Sequence, residues 1–153
     1  MSEEETLSRV LIVDDNAANA ELLEAYVREL PCEIEVASSG REALEKVEEF
    51  EPDIILLDIM MPDMSGLEVC RQLKGDENTS DIPVIMVTAL SELEDVERAV
   101  EAGTDDFLSK PVNKVELVKR VENMLKLRHV SDELERLRSY ISTMDDDLPP
   151  RQG

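Results

Sequence analysis

Five times along this chain a strand-length apolar or alternating run gives way to a segment with helical spacing. That alternation restricts the fold more than any other feature. The runs Val10–Val13, Ile54–Leu57 and Val84–Val87 are apolar at every position. A strand with no polar face is covered on both sides, as in a parallel sheet packed between helices. Ile34 and Val36 alternate as a further strand, and Asp106-Phe107-Leu108 makes a short fifth one. Between them the spacing predicts helices over Asn16 to Leu30 (Ala20, Leu23, Val27 and Leu30 on one face), Ser39 to Phe50, Ser65 to Lys74 and Ser91 to Ala102, and a long helix after Pro111. Ser39 with Glu42, Ser65 with Glu68 and Ser91 with Glu94 have capping-box spacing, and Gly103 suits a helix stop. The reading is a doubly wound α/β domain. In such sheets, ligands lie beyond the carboxyl ends of the strands.

The residues at those ends are chemically selective. Asp14 and Asp15 follow the first strand, Asp58 the third, Thr88 the fourth and Lys110 the fifth. The second ends in Ala37, as suits an edge strand outside a site. Taken singly, each has an ordinary explanation: Asp14 and Asp15 as helix caps, Asp58 as a turn residue, Thr88 as a β-branched strand end, Lys110 as a solvated amine. A doubly wound sheet gathers all of them on one rim. Three carboxylates there repel one another and are tolerated with a cation or with raised pKa values. An all-oxygen set suits a hard ion such as Mg2+, with Mn2+ as a substitute. The three Asp and Lys110 sum to a formal charge of about −2, which one Mg2+ neutralises.

Composition removes other classes. The chain of 153 residues carries 37 acidic and 16 basic side chains, a formal net charge of −21. Most of the acidity precedes Arg128. Direct binding to a nucleic acid backbone or an anionic membrane is disfavoured, since both call for Lys and Arg. Cys32 and Cys70 have no metal-ligand spacing, and His129 is the lone histidine; it reads as a solvated helix residue. The acidic start, MSEEETLSR, is no signal peptide. No apolar run is long enough to cross a membrane, so a cytoplasmic protein is expected.

The segments VLIVDD (10–15), DIILLD (53–58), MPDMSG (61–66), VTA (87–89) and FLSKP (107–111) together resemble the receiver domain of bacterial two-component response regulators. The resemblance covers residues 8–128. It implies a five-stranded parallel sheet in the order 2-1-3-4-5, of flavodoxin-like or chemotaxis-receiver-like kind. It implies Asp58 as phosphoacceptor, with a sensor histidine kinase or phosphotransfer protein as donor, so that the chain accepts a phosphoryl group rather than acting as an enzyme. Asp15 and Asp58 would ligate Mg2+ directly, Asp14 partly through water, and the Met60 backbone carbonyl would be a further ligand. Lys110, before a cis bond to Pro111, would pair with the phosphoryl oxygens. Thr88 and Phe107 would form the switch pair that alters the helix 4 to helix 5 face for a downstream protein target. Met60 and Leu90, both apolar, stand at positions that influence attack by water, which suggests slow self-dephosphorylation.

Three alternatives are weaker. A flavin mononucleotide protein of similar architecture would place phosphate-binding donors after the first strand, where this chain has two carboxylates. A haloacid-dehalogenase-type phosphatase needs a second Asp two residues after its nucleophile, where this chain has Met60. A receiver-like dimerisation or adaptor module that is never phosphorylated remains as the main alternative.

Neither Gly nor Pro occurs between Val112 and Leu148. Leu127, Val130, Leu134, Leu137, Ile141 and Met144 follow intervals of three and four, the pattern of a coiled-coil seam. The expected organisation is an N-terminal tail (1–7), a receiver domain (8–128), a helical, coiled-coil-like extension (129–144) and a disordered tail (145–153). Homodimerisation through the seam leads the readings of this extension. Folding back onto the domain and docking to another protein are the others, and Ser131 is a candidate cap for a separate helix. A single-domain regulator and the receiver piece of a longer chain both fit.

Overall fold

The computed structural model describes residues 7–89 and 93–145. The expectations placed on the two tails, on Leu90 and on the Ser91–Glu94 cap therefore lie outside the described residues. So do those on the side chains of His129, Ser131 and Met144.

The elements are β1 (Ser8–Val13), α1 (Ala17–Val27), β2 (Cys32–Ala37), α2 (Gly40–Phe50), β3 (Ile54–Leu57), α3 (Gly66–Lys74), β4 (Val84–Thr88), α4 (Leu93–Ala102), β5 (Asp106–Ser109) and α5 (Lys114–Asp145). All strands are parallel, in the order β2-β1-β3-β4-β5. The three wholly apolar runs form the three central strands, and their residues from Val10 onward are buried on both faces. On one face Val10, Ile12, Ile54, Leu56 and Ile85 meet Ala20, Leu23 and Val27 of α1 and Leu117 and Val121 of α5. On the other, Leu11, Val13, Ile55, Leu57 and Met86 meet Val47 of α2, Val69, Cys70 and Leu73 of α3, and Ala99 of α4.

Local chemistry corrects several expected boundaries. α1 stops at Val27 rather than Leu30, because the chain tightens there. Glu29 N donates to Tyr26 O and Leu30 N to Val27 O. The residue before Pro31 is disfavoured in a helix. Leu30 still packs against the α1 side of the core. Ser39 and Ser65 are N-caps, but neither completes a capping box. Ser39 accepts from Glu42 N, while the Glu42 carboxylate accepts from the backbone N–H and hydroxyl of Ser38 instead. Ser65 accepts from Leu67 N, and Glu68 turns to Arg71 and Gln72. Thr88 closes β4 rather than following it. α5 is unbroken over 32 residues, so Ser131 does not start a new helix. No helix among the described residues is long and apolar enough to cross a membrane.

Candidate functional site

Strand register builds the site. Val13 lies opposite Leu57, so Asp14 and Asp58 leave the sheet side by side. Asp58 N donates to Val13 O at 3.0 Å and Asp14 N to Ala37 O at 3.1 Å, which extends the ladder one step past the strand ends. Lys110 N donates to Thr88 O at 2.8 Å and fixes the start of the β5–α5 loop beside β4. The Lys110–Pro111 peptide bond is cis, as expected. Four backbone positions distant in sequence are thereby delivered to one rim.

Their side chains meet there. Carboxylate oxygens of Asp14, Asp15 and Asp58 all lie within 4.8 Å of one another. Asp14 is 2% exposed and Asp58 6%, whereas Asp15 is open to solvent. Asp14 is held at both oxygens. Its Oδ1 accepts from Asn16 N, and its Oδ2 accepts from Lys110 Nζ at 2.9 Å. The same ammonium is 3.7 Å from Asp58 Oδ2. Among the described residues, Lys110 is paired with two of the three clustered carboxylates, and the surplus is negative.

Burial raises the Asp58 pKa above the ordinary carboxylate range. Lys110 opposes the rise, neighbouring Asp14 adds to it, and the Met60 N–H, 3.4 Å from Asp58 Oδ1, lowers it. The Thr88 hydroxyl is near enough to lower it slightly, yet it makes no hydrogen bond of normal geometry with any described residue. We regard it as a nearby dipole rather than a partner. Thr88 is wholly buried, so that hydroxyl is left unsatisfied. Phe107 pairs with Met86 across β4 and β5. It is half-buried against the core layer that contains Met86 and Ala99. The Met60 backbone adjoins Asp58 through its N–H, and its side chain is 62% exposed.

Two supporting residues were not singled out from the sequence. A Cβ on Gly66 would lie 2.0 Å from the Asp58 carbonyl oxygen and 2.9 Å from Ile59 Cα. Gly66 N also donates to Ile59 O at 2.9 Å. The start of α3 is thus pressed against the backbone that carries Asp58, and only glycine fits. Asp63 accepts from Gly40 N and Arg41 N at 3.1 Å each, which ties the β3–α3 loop to the start of α2. Those N–H donors hold the Asp63 carboxyl below its usual range. Both residues lie in the MPDMSG segment, which carries the family resemblance but does not disclose which backbone each residue touches.

The family model of the response regulator receiver domain matches residues 10–122. The chain belongs to that family. Response regulator PleD of Caulobacter vibrioides is 45% identical over 127 residues, covering 83% of this chain and 28% of PleD. The DNA-binding response regulator MtrA of Mycobacterium leprae is 40% identical over 141 residues, covering 92% of this chain and 60% of MtrA. The receiver thus spans less than two thirds of the length of either relative. A CheY-like response regulator receiver domain protein from Methanospirillum hungatei superposes with a TM-score of 0.76 at 30% identity, covering 82% of this chain and 99% of that one. The receiver fold of the present chain, with strand order 2-1-3-4-5, agrees with that expected from the sequence.

Proposed function

We propose that Asp58 is the phosphoacceptor of this receiver. The observation that carries the reading is a nearly buried carboxylate set between a lysine and two further carboxylates, with a partnerless hydroxyl close by. An Asp58 carboxylate oxygen attacks the phosphorus of a phosphohistidine on a histidine kinase or phosphotransfer protein. An O–P bond forms, the P–N bond breaks, and the imidazole leaves with the electron pair. The attacking form is the carboxylate, so protonation of Asp58 opposes acceptance.

The donor set fits a hard divalent ion, being all oxygen and in excess over the one ammonium. Asp14, Asp15, Asp58 and the Met60 carbonyl would hold Mg2+ or Mn2+. When bound, the ion supplies positive charge to the phosphoryl oxygens. Lys110 supplies the rest. It already lies between Asp14 and Asp58, so a small movement takes it from Asp14 to a phosphoryl oxygen. A buried unsatisfied hydroxyl costs about 1–3 kcal/mol. An arriving phosphoryl oxygen gives the Thr88 hydroxyl an acceptor, and so favours movement of Thr88 toward Asp58. Phe107, half-buried on the neighbouring strand, turns into the space vacated. The surface of α4, β5 and α5 changes accordingly and is read by a downstream protein. With apolar Met60 beside Asp58, hydrolysis of the acyl phosphate is slow.

Intact mass after incubation with Mg2+ and acetyl phosphate tests this. A phosphoryl increment absent from Asp58→Asn supports the assignment. No increment under any condition would favour an adaptor that is never phosphorylated, and loss of the label within seconds would refute slow hydrolysis.

A further inference from the structure

The two halves of α5 carry their apolar residues on different faces. Leu117 and Val121 are wholly buried against the sheet, and Met124 packs beside them. At 3.6 residues per turn these three share one face, and the stripe that follows is rotated by roughly 130° from it. That second stripe is Leu127, Val130, Leu134, Leu137 and Ile141, exposed by 65, 51, 48, 54 and 51%. It is no continuation of the domain-facing surface. The helix does not fold back: every described side chain from 132 to 141 is exposed. A contiguous apolar stripe of this kind marks an interaction surface.

The aim of the stripe is fixed at its root. Arg128 Nη1 donates to Asp81 O at 2.9 Å, and Arg128 Nε lies 3.6 Å from Asp53 Oδ1. The helix therefore leaves the domain in a set direction. A cleft of ≈ 810 Å3 bordered by Asp81, Pro83, Asp105, Leu127 and Leu134 lies along the root of the stripe.

We infer that residues 127–141 form one strand of a parallel, in-register, two-stranded coiled coil with a second copy of this chain. Three features select that occupant. The intervals place Leu127, Leu134 and Ile141 at position a of a heptad, and Val130 and Leu137 at position d. Glu133 then falls at g and Arg138 at the following e. In a parallel pair these two positions face each other across both flanks of the seam, and no like-charged g–e pair arises. An antiparallel pair would set e against e and g against g, and would lose that complementarity. Finally, each added copy brings a formal charge of −21, so self-repulsion favours two strands over three or four. The inference is independent of the phosphoryl chemistry.

Sedimentation velocity of the full chain over a wide concentration range, without phosphodonor, is the test. The expected result is a monomer–dimer equilibrium that the pair L134D/L137D abolishes, with circular dichroism melting of the domain unchanged. R138E should weaken the dimer roughly tenfold, and E133R/R138E should restore it. Leu137→Cys should form a disulfide-linked dimer under oxidation that the parent chain does not. A monomer at every concentration would overturn the inference, as would a dimer indifferent to L134D/L137D or a larger oligomer. Failure of both the charge-swap rescue and the Leu137→Cys cross-link would overturn the parallel register.

Discussion

The two ends of the sheet handle charge in opposite ways. At the base, beneath the amino ends of β1, β3 and β4, the cations of Arg9 and Lys74 have acceptors. Asp53 Oδ2 accepts from Arg9 N at 2.8 Å, while Arg9 Nη1 donates to Phe50 O at 2.9 Å. Lys74 Nζ reaches Ser80 O, Ile82 O and Asp105 Oδ2 at 3.2, 2.8 and 2.8 Å, and Asp105 Oδ2 also accepts from Val84 N. At the carboxyl-end rim, one ammonium is paired with two of three clustered carboxylates, and a buried hydroxyl has no partner among the described residues. One scaffold carries both. The base satisfies its polar groups and ties loops together. The rim leaves charge uncompensated, as sites of chemistry characteristically do.

The sharpest test of that contrast is to neutralise one carboxylate at each end. Asp58→Asn should abolish the phosphoryl increment in intact mass, whereas Asp53→Asn at the base should leave it intact. Loss of acceptance in both variants would mean that the two ends are not functionally distinct.

Next in size is Gly66→Ala. The added carbon would meet the Asp58 carbonyl at 2.0 Å, and the atoms it meets are backbone rather than the end of a flexible side chain. Forced overpacking of this kind costs about 3 kcal/mol or more, read as a lower midpoint in urea unfolding. A Gly66→Ala protein as stable as the parent would show that the rim is not held rigidly from below.

Asp58→Asn should also stabilise the fold. The folded Asp58 pKa lies above its unfolded value because the carboxylate is buried. The native state therefore binds more protons than the unfolded state between those two values. Stability falls as pH rises through that window and stays at its reduced level above it. In metal-free buffer at neutral pH, the Asn variant should melt a few degrees higher than the parent. The gap should close as pH drops to the ordinary aspartate range. A lower melting point for the variant at neutral pH would mean that Lys110 outweighs burial, and that the rim is balanced after all.

Much of this contrast can be read from residue order. Val10–Val13, Ile54–Leu57 and Val84–Val87 could only be central strands, and their ends place Asp14, Asp58 and Thr88 on one rim. What sequence does not disclose is who touches whom when several partners are equally near. Glu42 stands three residues after a capping serine, but Ser38 offers it both an N–H and a hydroxyl and wins. Glu68 finds Arg71 and Gln72 on its own helix face. α1 carries apolar spacing through to Leu30, yet Pro31 ends it sooner. Gly66 reads in the sequence as the start of a helix after Ser65, but its contact with the Asp58 backbone needs the third dimension. The apolar intervals after Leu127 were legible as well, whereas their rotation away from the domain appears only once Leu117 and Val121 are seen buried on another face.

The smallest effect belongs to the base. Arg128 is the ion-pair partner of Asp53 at 3.6 Å, with side chains 26% and 38% exposed, and water screens such a pair. Arg128→Ala should cost no more than about 1 kcal/mol in urea unfolding and should leave phosphoryl acceptance unchanged. Its consequence should be directional. Arg128 also holds Asp81 O at the point where α5 leaves the domain, so its loss frees the angle of the projecting helix without unfolding it. Spin labels at Thr104 and Ser139 should report a wider distance distribution in the variant at unaltered helix content. An unchanged distribution would mean that burial of Leu117 and Val121 alone sets the direction, and that the base is built for stability only.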